Sequence, residues 1–358
     1  MDCKENERLI LPDDAHLQYM GRIDDRCKTA PVLVFPYTMI NTCFTGSCVR
    51  MWLKNHRGCW DNYIGVIIDG EQRKLRLPHT DAAVCLTLGE NLGSGRHELT
   101  VFKRMDSCHT ITFLGLCIEK DAVLELPKAL PMRRMEVYGD SVSAGEVSEA
   151  TDYVGMPDPN HQGEFSNSWY SYAAIAARKL NAQLHDIAQG GIALLNQTGW
   201  FAAPNYIGME DVWDKVQYNP ETGPVTLWDF GRYTPHVVIV AIGQNDNHPE
   251  DYMADDYDGQ KAARWRRHYE RFLRSLRETY PKALIIAATT ILNHDSRWDQ
   301  AIDAVCRNMN DGKIVHFLYE RNGVGTPGHV RISEAGEMAG QLVDYIRSFG
   351  EDIWKDDD

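Results

Sequence analysis

From about Arg22 to Glu125, apolar and polar positions alternate over short runs, and no helical period lasts three turns. The runs "APVLVFPYTM", "SCVRMWLKN", "NYIGVIIDGEQRKLRL", "AVCLTLGEN", "HELTVFKRM" and "TITFLGLCIE" are β-rich. In "SCVRMWLKN", Cys48, Met51 and Leu53 mix with Arg50 and Lys54, while Trp52 blurs the phase. Asp69-Gly70 is a hairpin-type turn, and "GENLGSGRHE" is a glycine-rich connection. Residues 1–125 are therefore expected to form an all-β sandwich or jelly roll.

"LELPKALPMRR" (Leu124 to Arg134) carries two prolines and two basic clusters, and residues 126–132 read as a linker. Beyond it the period changes. Strand candidates are Arg134–Tyr138, Gln183–Ala188, His236–Ile242, Ala283–Ile291 and Lys313–Leu318. Helical stretches lie between and after them, at Asn167–Leu180, Gln260–Tyr280, Asp295–Met309 and Ser333–Phe349. Strands alternating with helices predict an α/β domain over residues 133–358, with a parallel sheet covered by helices. Ligands of such sheets sit beyond the carboxyl ends of the strands. Ser141, Gly190 and Asn245 each fall just after one of those ends.

Bulk composition narrows the partners. The 358 residues are 43% hydrophobic and 25% charged, the balance of an ordinary globular protein. A formal net charge of −14 repels phosphate backbones and anionic lipid heads, so neither nucleic acid nor a membrane is an expected partner. A neutral sugar meets no such penalty. Nine cysteines sit mostly singly, with no CxxC pair and no Cys/His cluster of zinc spacing. They are expected to be buried reduced thiols, not a disulfide framework, and no metal or cofactor is expected. The N-terminal "MDCKENERLI" is charged and has no apolar core of a secretory leader, and no run of about 18 apolar residues occurs. These features give the expectation of a cytoplasmic chain.

Ser141 lies in "MEVYGDSVSAGE", where an apolar run stops at Gly-Asp-Ser. By itself Asp140-Ser141 reads as the cap of a following helix. A nucleophilic serine needs a base, and His329 is the histidine placed to be one. It stands in "GVGTPGHVRISEAGEMA", a glycine/proline-rich loop just before the final amphipathic stretch. His248, in "GQNDNHPED", is the second candidate, whereas His236 and His316 read as core-edge residues of strands. Attack on an ester also needs donors for the oxyanion. The backbone N–H of Ser141, the N–H of Gly190 in "IAQGGIALLN" and the carboxamide of Asn245 are the candidates. Each has a plain alternative as a turn or a cap.

The order GDS, glycine after the second strand, GQND and late loop histidine resembles the four blocks of the SGNH, or GDSL-type, hydrolases. The resemblance implies a flavodoxin-like hydrolase domain, with Ser141 as nucleophile and His329 as base. Ser141, Gly190 and Asn245 would then form the oxyanion hole. "GRID" at Gly21, "CFTGSCVRMWLKN", "NYIGVIIDGE", "LGSGRHELTVFKRMD" and "ITFLGLCIE" extend the likeness to carbohydrate esterase family 2. Those enzymes place a jelly-roll domain before the hydrolase domain and remove acetyl groups from plant cell-wall polysaccharides such as xylan and mannan. An acetylated oligosaccharide substrate and an acetyl-enzyme intermediate follow as expectations. The chain departs from the general SGNH pattern at one place. The usual acid stands three residues before the histidine, where this chain has Thr326, and no carboxylate lies between Arg321 and His329. A backbone carbonyl, the Thr326 hydroxyl or a distant carboxylate is left to orient the base, and family 2 enzymes resemble one another in sometimes using a Ser-His dyad.

Residues 196–235 form a long connection rich in aromatics, and flat rings suit the apolar faces of sugars. Trp200 is the preferred substrate contact, with Trp213, Trp228 and the more distant Trp298 as further candidates; the alternative is that these rings form the loop's own core. The carboxylates of "GQNDNHPEDYMADDYDG" match no hard-ion loop and read as a solvated acidic segment. Two other functions compete: a lipid or thioester esterase on the same fold, and a non-catalytic carbohydrate-binding protein.

Overall fold

The computed structural model describes residues 3–356, which fall into two compact units. The first comprises residues 1–130 with the short segments 162–164 and 216–226; the second comprises 131–161, 165–215 and 227–358. Two short excursions of the chain thus return to the first unit after residue 130. The second excursion belongs to the first unit because its side chains pair there. Asn219 donates to the Ser107 carbonyl at 2.8 Å, and Tyr218 stacks on Phe35 with ring centres 4.9 Å apart.

The first unit is a pair of antiparallel sheets. One runs Ile23–Asp24, Val32–Leu33, His109–Glu119, Val49–Arg57, Val84–Gly89, with Glu7–Ile10 also pairing with His109–Glu119. The other runs Leu124–Glu125, Met39–Thr45, Arg96–Lys103, Tyr63–Ile68, Glu71–Arg76, with Gln18–Met20 also pairing with Met39–Thr45. Alternation explains the layering. Along Val49–Arg57, Val49, Met51 and Leu53 are buried, while Arg50, Trp52 and Lys54 are half-buried on the other face. Leu53 and Phe113 from one sheet join Phe44, Ile64 and Val101 from the other in one apolar cluster. Asp69 and Gly70 both adopt positive φ, the geometry of the two-residue hairpin the sequence predicts.

One expectation is overturned here. Cys3 and Cys117 form a disulfide that closes a separation of 114 residues, so the thiols are not all reduced. The link ties the segment preceding Glu7–Ile10 to the strand it pairs with.

In the second unit the strands are β1 (Arg133–Gly139), β2 (Ala182–Ala188), β3 (Val237–Ala241), β4 (Leu284–Ala288) and β5 (Ile314–His316). The helices that matter are α1 (Ser141–Ala144), α2 (Tyr172–Lys179), α3 (Gln260–Thr279), α4 (Arg297–Met309) and α5 (Ile332–Arg347). All strand pairs are parallel, in the order β2-β1-β3-β4-β5. This is the flavodoxin-like order, whose switch point lies between β1 and β3. The helices dock through apolar stripes at three- and four-residue spacing. In α3 these are Trp265, Tyr269, Phe272, Leu273 and Leu276; in α5, Ala335, Met338, Ala339, Leu342, Val343 and Ile346. The helix expected over Asn167–Leu180 is broken at Ser171, because its hydroxyl accepts the Ala174 N–H and restarts the helix there. Among the described residues, no helix is long and apolar enough to cross a membrane.

Gly65 faces Phe102 across the second sheet of the first unit, and a Cβ there would lie 2.0 Å from the Phe102 Cζ. Phe102 is fully buried and has nowhere to move. Gly65→Ala is expected to cost about 1–3 kcal/mol of unfolding free energy, measured by chemical denaturation; an unchanged midpoint would contradict this packing.

Candidate active site

The carboxyl ends of β1 and β3 carry the first half of the site. Gly139 closes β1, and a Cβ there would lie 2.1 Å from Ser143 Oγ, so only glycine lets the chain turn this tightly into α1. Asp140 takes extended geometry and caps α1 by accepting the Val142 N–H at 3.0 Å. Ser141 is the first residue of that helix and is 5% exposed. The cap reading and the nucleophile reading are therefore compatible, since Asp140 caps and leaves Ser141 at the helix start.

Asp140 is fully buried and does more than cap. Its Oδ2 accepts Gln244 Nε2 at 2.6 Å and Asn245 Nδ2 at 3.2 Å. Gln244 Oε1 in turn accepts the Thr290 hydroxyl at 2.7 Å. A line of side chains thus crosses the ends of β4, β3 and β1. Asn245 Nδ2 also donates to the Ile192 carbonyl at 3.0 Å, which fixes the carboxamide's orientation. Burial pushes the Asp140 carboxyl up to about 6, against the hydrogen bonds from Val142 and Gln244 and the nearby His329.

Gly190 follows β2, where the Gln189 N–H donates to the Gly139 carbonyl at 3.2 Å and holds the two strand ends together. The loop beyond it is fastened by Asp246, which accepts Leu194 N–H at 2.7 Å, Leu195 N–H at 3.1 Å and the Thr198 hydroxyl at 3.2 Å. Burial pushes Asp246 up to about 7 despite these donors. Its role is structural, holding the Gly190 loop against the segment that carries Asn245.

His329 has the partner the sequence did not reveal. Its Nδ1 lies 2.5 Å from Asp158 Oδ2, and its own N–H donates to Asp158 Oδ1 at 2.9 Å. Arg331, buried completely, donates to the same Oδ1 at 2.8 Å and to the His329 carbonyl at 2.6 Å. Gly328 is obligatory in this arrangement, because a Cβ would lie 2.5 Å from the Met156 carbonyl oxygen. Glu334 of α5 holds both sides: its Oε2 accepts the Arg331 N–H and its Oε1 the Gly155 N–H. Burial alone would lower the proton affinity of His329, but the carboxylates of Glu146, Asp158 and Asp140 outweigh it and hold the imidazole above its ordinary range. Burial of Asp158 is likewise outweighed, by the hydrogen bonds and charge of His329 and Arg331, which hold its carboxyl well below the usual range.

Asp158 lies 171 residues before His329, in "MPDPN", and its only sequence signal is a loop residue between two prolines. Thr326 does not take the acid's place: it is buried, pairs with Leu292 in a β-bridge, and its hydroxyl meets no partner. An imidazole held at Nδ1 by a carboxylate presents Nε2 as the nitrogen able to take and return a proton.

The aromatic candidates separate. Trp200 is 59% exposed and stacks on His248 with ring centres 3.4 Å apart. Its N–H donates to the Gly191 carbonyl at 2.8 Å, so the ring stands beside the Gly190 loop. His248, the second candidate base, is thereby occupied as the support of that ring, with Nδ1 2.9 Å from the Gly199 carbonyl. The other three tryptophans pack against neighbouring side chains. Trp298 is wholly buried, donates to Asp251 and packs on Trp265 and Tyr252. Trp228 is buried against His185 and lies under the Arg232 guanidinium, and Trp213 is half-buried between Phe230 and Phe272. Apolar rings in a long connection found each other before any ligand, as loop cores do.

Residues 19–127 match the family model described as carbohydrate esterase 2 N-terminal. The chain is similar to an acetylxylan esterase / glucomannan deacetylase of Cellvibrio japonicus, at 29% identity over 80% of this chain and 75% of that protein. It is also similar to the cellulase/esterase CelE of Acetivibrio thermocellus, at 28% identity over 94% of this chain but 40% of that longer protein. In three dimensions it resembles a family two carbohydrate esterase from Cellvibrio japonicus, with a TM-score of 0.80, 24% identity and coverage of 97% of this chain and 98% of that one.

Replacing the carboxylate while keeping its shape isolates its effect on His329. Asp158→Asn is expected to lower kcat/KM for an acetyl ester by about 10²–10⁴-fold, as removal of an orienting carboxylate does elsewhere. Thr326→Ala is expected to retain activity, since its hydroxyl bonds nothing. Equal losses in the two variants, both folded by circular dichroism, would contradict the assignment.

Proposed function

We propose that this chain, by its likeness to carbohydrate esterase family 2, is a serine esterase removing O-acetyl groups from plant cell-wall oligosaccharides of the xylan or mannan type. In this reading Ser141 Oγ attacks the acetyl carbonyl while His329 Nε2 takes its proton. The oxygen that becomes negative is received by the N–H groups of Ser141 and Gly190 and by Asn245 Nδ2, which gives up its longer, 3.2 Å bond to Asp140 in order to donate there. His329 returns the proton to the departing sugar oxygen, leaving acetyl-Ser141. Water, losing a proton to His329, then attacks the acetyl group; His329 passes that proton to Ser141 Oγ as it leaves, and acetate is released. Asp158 stabilises the imidazolium that forms in both half-reactions.

The observation that carries this reading is the His329–Asp158 pair, because a loop histidine held by a carboxylate at Nδ1 has no evident structural need. The relatives' names support a carbohydrate ester as substrate. The exposed face of Trp200, fixed over His248 beside the Gly190 loop, suits the apolar face of a sugar ring.

Two experiments test the proposal. p-Nitrophenyl acetate is expected to be hydrolysed in preference to the butyrate and octanoate esters, with acetate released from acetylated xylan or glucomannan and no turnover by Ser141→Ala. Preference for octanoate, or full activity of Ser141→Ala, would overturn the assignment. Trp200→Ala is expected to raise KM for an acetylated oligosaccharide roughly three- to tenfold, the loss of about 1 kcal/mol of stacking, with p-nitrophenyl acetate little affected. An unchanged KM for the oligosaccharide would remove Trp200 from the substrate site.

A further inference from the structure

The turn that leaves α1 brings a carboxylate to His329 that the reaction above does not use. Glu146 Oε2 lies 4.0 Å from Nε2 of His329, and the two side chains are 12% and 22% exposed. Asp158 holds the opposite ring nitrogen at 2.5 Å, so the imidazole is bracketed by carboxylates along its length. The backbone fixes Glu146 relative to the nucleophile: its N–H donates to the Ser141 carbonyl at 2.9 Å. Gly145 before it takes the left-handed φ of 75°, and a Cβ there would meet the Asn167 carbonyl oxygen at 2.6 Å. The same turn that ends the nucleophile's helix therefore aims this side chain.

We propose that Glu146 is a positioning residue for His329, which holds the N–H at Nε2 when the imidazole is protonated and so sets the pH at which His329 becomes a base. The proposal rests on the esterase reading of Ser141 and His329. When His329 carries two protons, Nδ1–H faces Asp158 and Nε2–H faces Glu146, and no lone pair remains for Ser141. Loss of the Nε2 proton to water frees that lone pair, and the Ser141 hydroxyl can then take the place of the ionic contact.

The groups around the ring support this direction. Asp158 comes from the 154–160 loop, Glu146 from the turn after α1, and Asp140 from the end of β1; all three act on His329 as negative charges. The cation against the loop is Arg331, and its guanidinium is engaged by Asp158 and the His329 carbonyl. Glu334 of α5 takes the Arg331 N–H. His294 lies within electrostatic reach of Asp140, and its backbone N–H donates to the Gly323 carbonyl at 3.0 Å, in the loop that leads to His329. The carboxylates raise the proton affinity of His329, so the base is protonated to higher pH than an isolated histidine. Removing one charge moves the limb downward.

The test uses the full chain and two readouts. The imidazole signals are titrated by proton–nitrogen NMR, with His329 assigned by its absence from His329→Gln, and kcat/KM for p-nitrophenyl acetate is followed from pH 4 to 9. Glu146→Gln is expected to lower both the His329 midpoint and the acid limb by about one pH unit. Glu146→Asp, which keeps the charge at a shorter reach, is expected to fall between, and it carries the test if the glutamine variant does not fold. An unchanged His329 midpoint in a folded Glu146→Gln overturns the proposal, whatever happens to the rate, because a merely structural role moves the rate and not the midpoint. If the parent chain hydrolyses no acetyl ester, the esterase reading fails, while the NMR midpoint still reports on the Glu146–His329 pair.

Discussion

The site depends on one carboxylate meeting three donors. Asp158 accepts from the ring of His329, from the backbone of His329 and from the guanidinium of Arg331. A fully buried arginine needs an anion, and a loop histidine needs something to stop its rotation; Asp158 supplies both. Because Arg331 also grips the His329 carbonyl, residues 329–331 behave as one piece. Glu334 then anchors that piece to the first turn of α5, and anchors the 151–158 loop through Gly155. An acid three residues before the histidine is unnecessary once a separate loop is pinned this firmly.

The side of the site that carries Gly190 and Asn245 is built on a different principle, buried carboxylates that orient amides. Ionised Asp140 has no proton to donate, so Gln244 and Asn245 both present nitrogen to it. The Thr290 hydroxyl reads the same orientation from the oxygen end of Gln244. Asp246 does for the backbone beyond Gly190 what Asp140 does for the carboxamide of Asn245. Each carboxylate is costly to bury, as their raised proton affinities record. The return is geometric: three strand ends hold their polar groups in one arrangement before a substrate arrives.

What could be read from the chain follows the range of the interactions. Periodicity is local, so the β-rich first half, the alternating second half and the Asp69-Gly70 hairpin were visible. Placement on the sheet edge was visible too, because strands announce where they end. The Asp158–His329 pair joins loops 171 residues apart, and no local pattern reports it. Trp228 and Trp298 misled for the same reason: a tryptophan in a long connection or at a helix start looks alike whether it faces solvent or a neighbouring ring. The Cys3–Cys117 bond and the return of residues 216–226 to the first unit are likewise long-range facts. The likeness to known esterases pointed to the reaction, and geometry alone supplied a carboxylate at His329.

The two ends of the His329 ring are held differently, and the difference matters for the proposed reaction. Asp158 is in hydrogen-bond contact and is tied by Arg331, so it stays on Nδ1 throughout. Glu146 stands 4.0 Å from Nε2, beyond hydrogen-bond length, which leaves room for a hydroxyl to come between. A carboxylate at that distance stabilises the imidazolium both at rest and at the moment it forms from Ser141 and His329. The first effect removes base from the enzyme; the second strengthens the base that remains. The balance depends on which state is closer to Glu146. In the proposed reaction Ser141 bonds Nε2, and a bound acetyl group would shield from water a contact that is 12% and 22% exposed in its absence. Less water means less screening, so the charge of Glu146 acts more strongly on the transition state than on the resting ring.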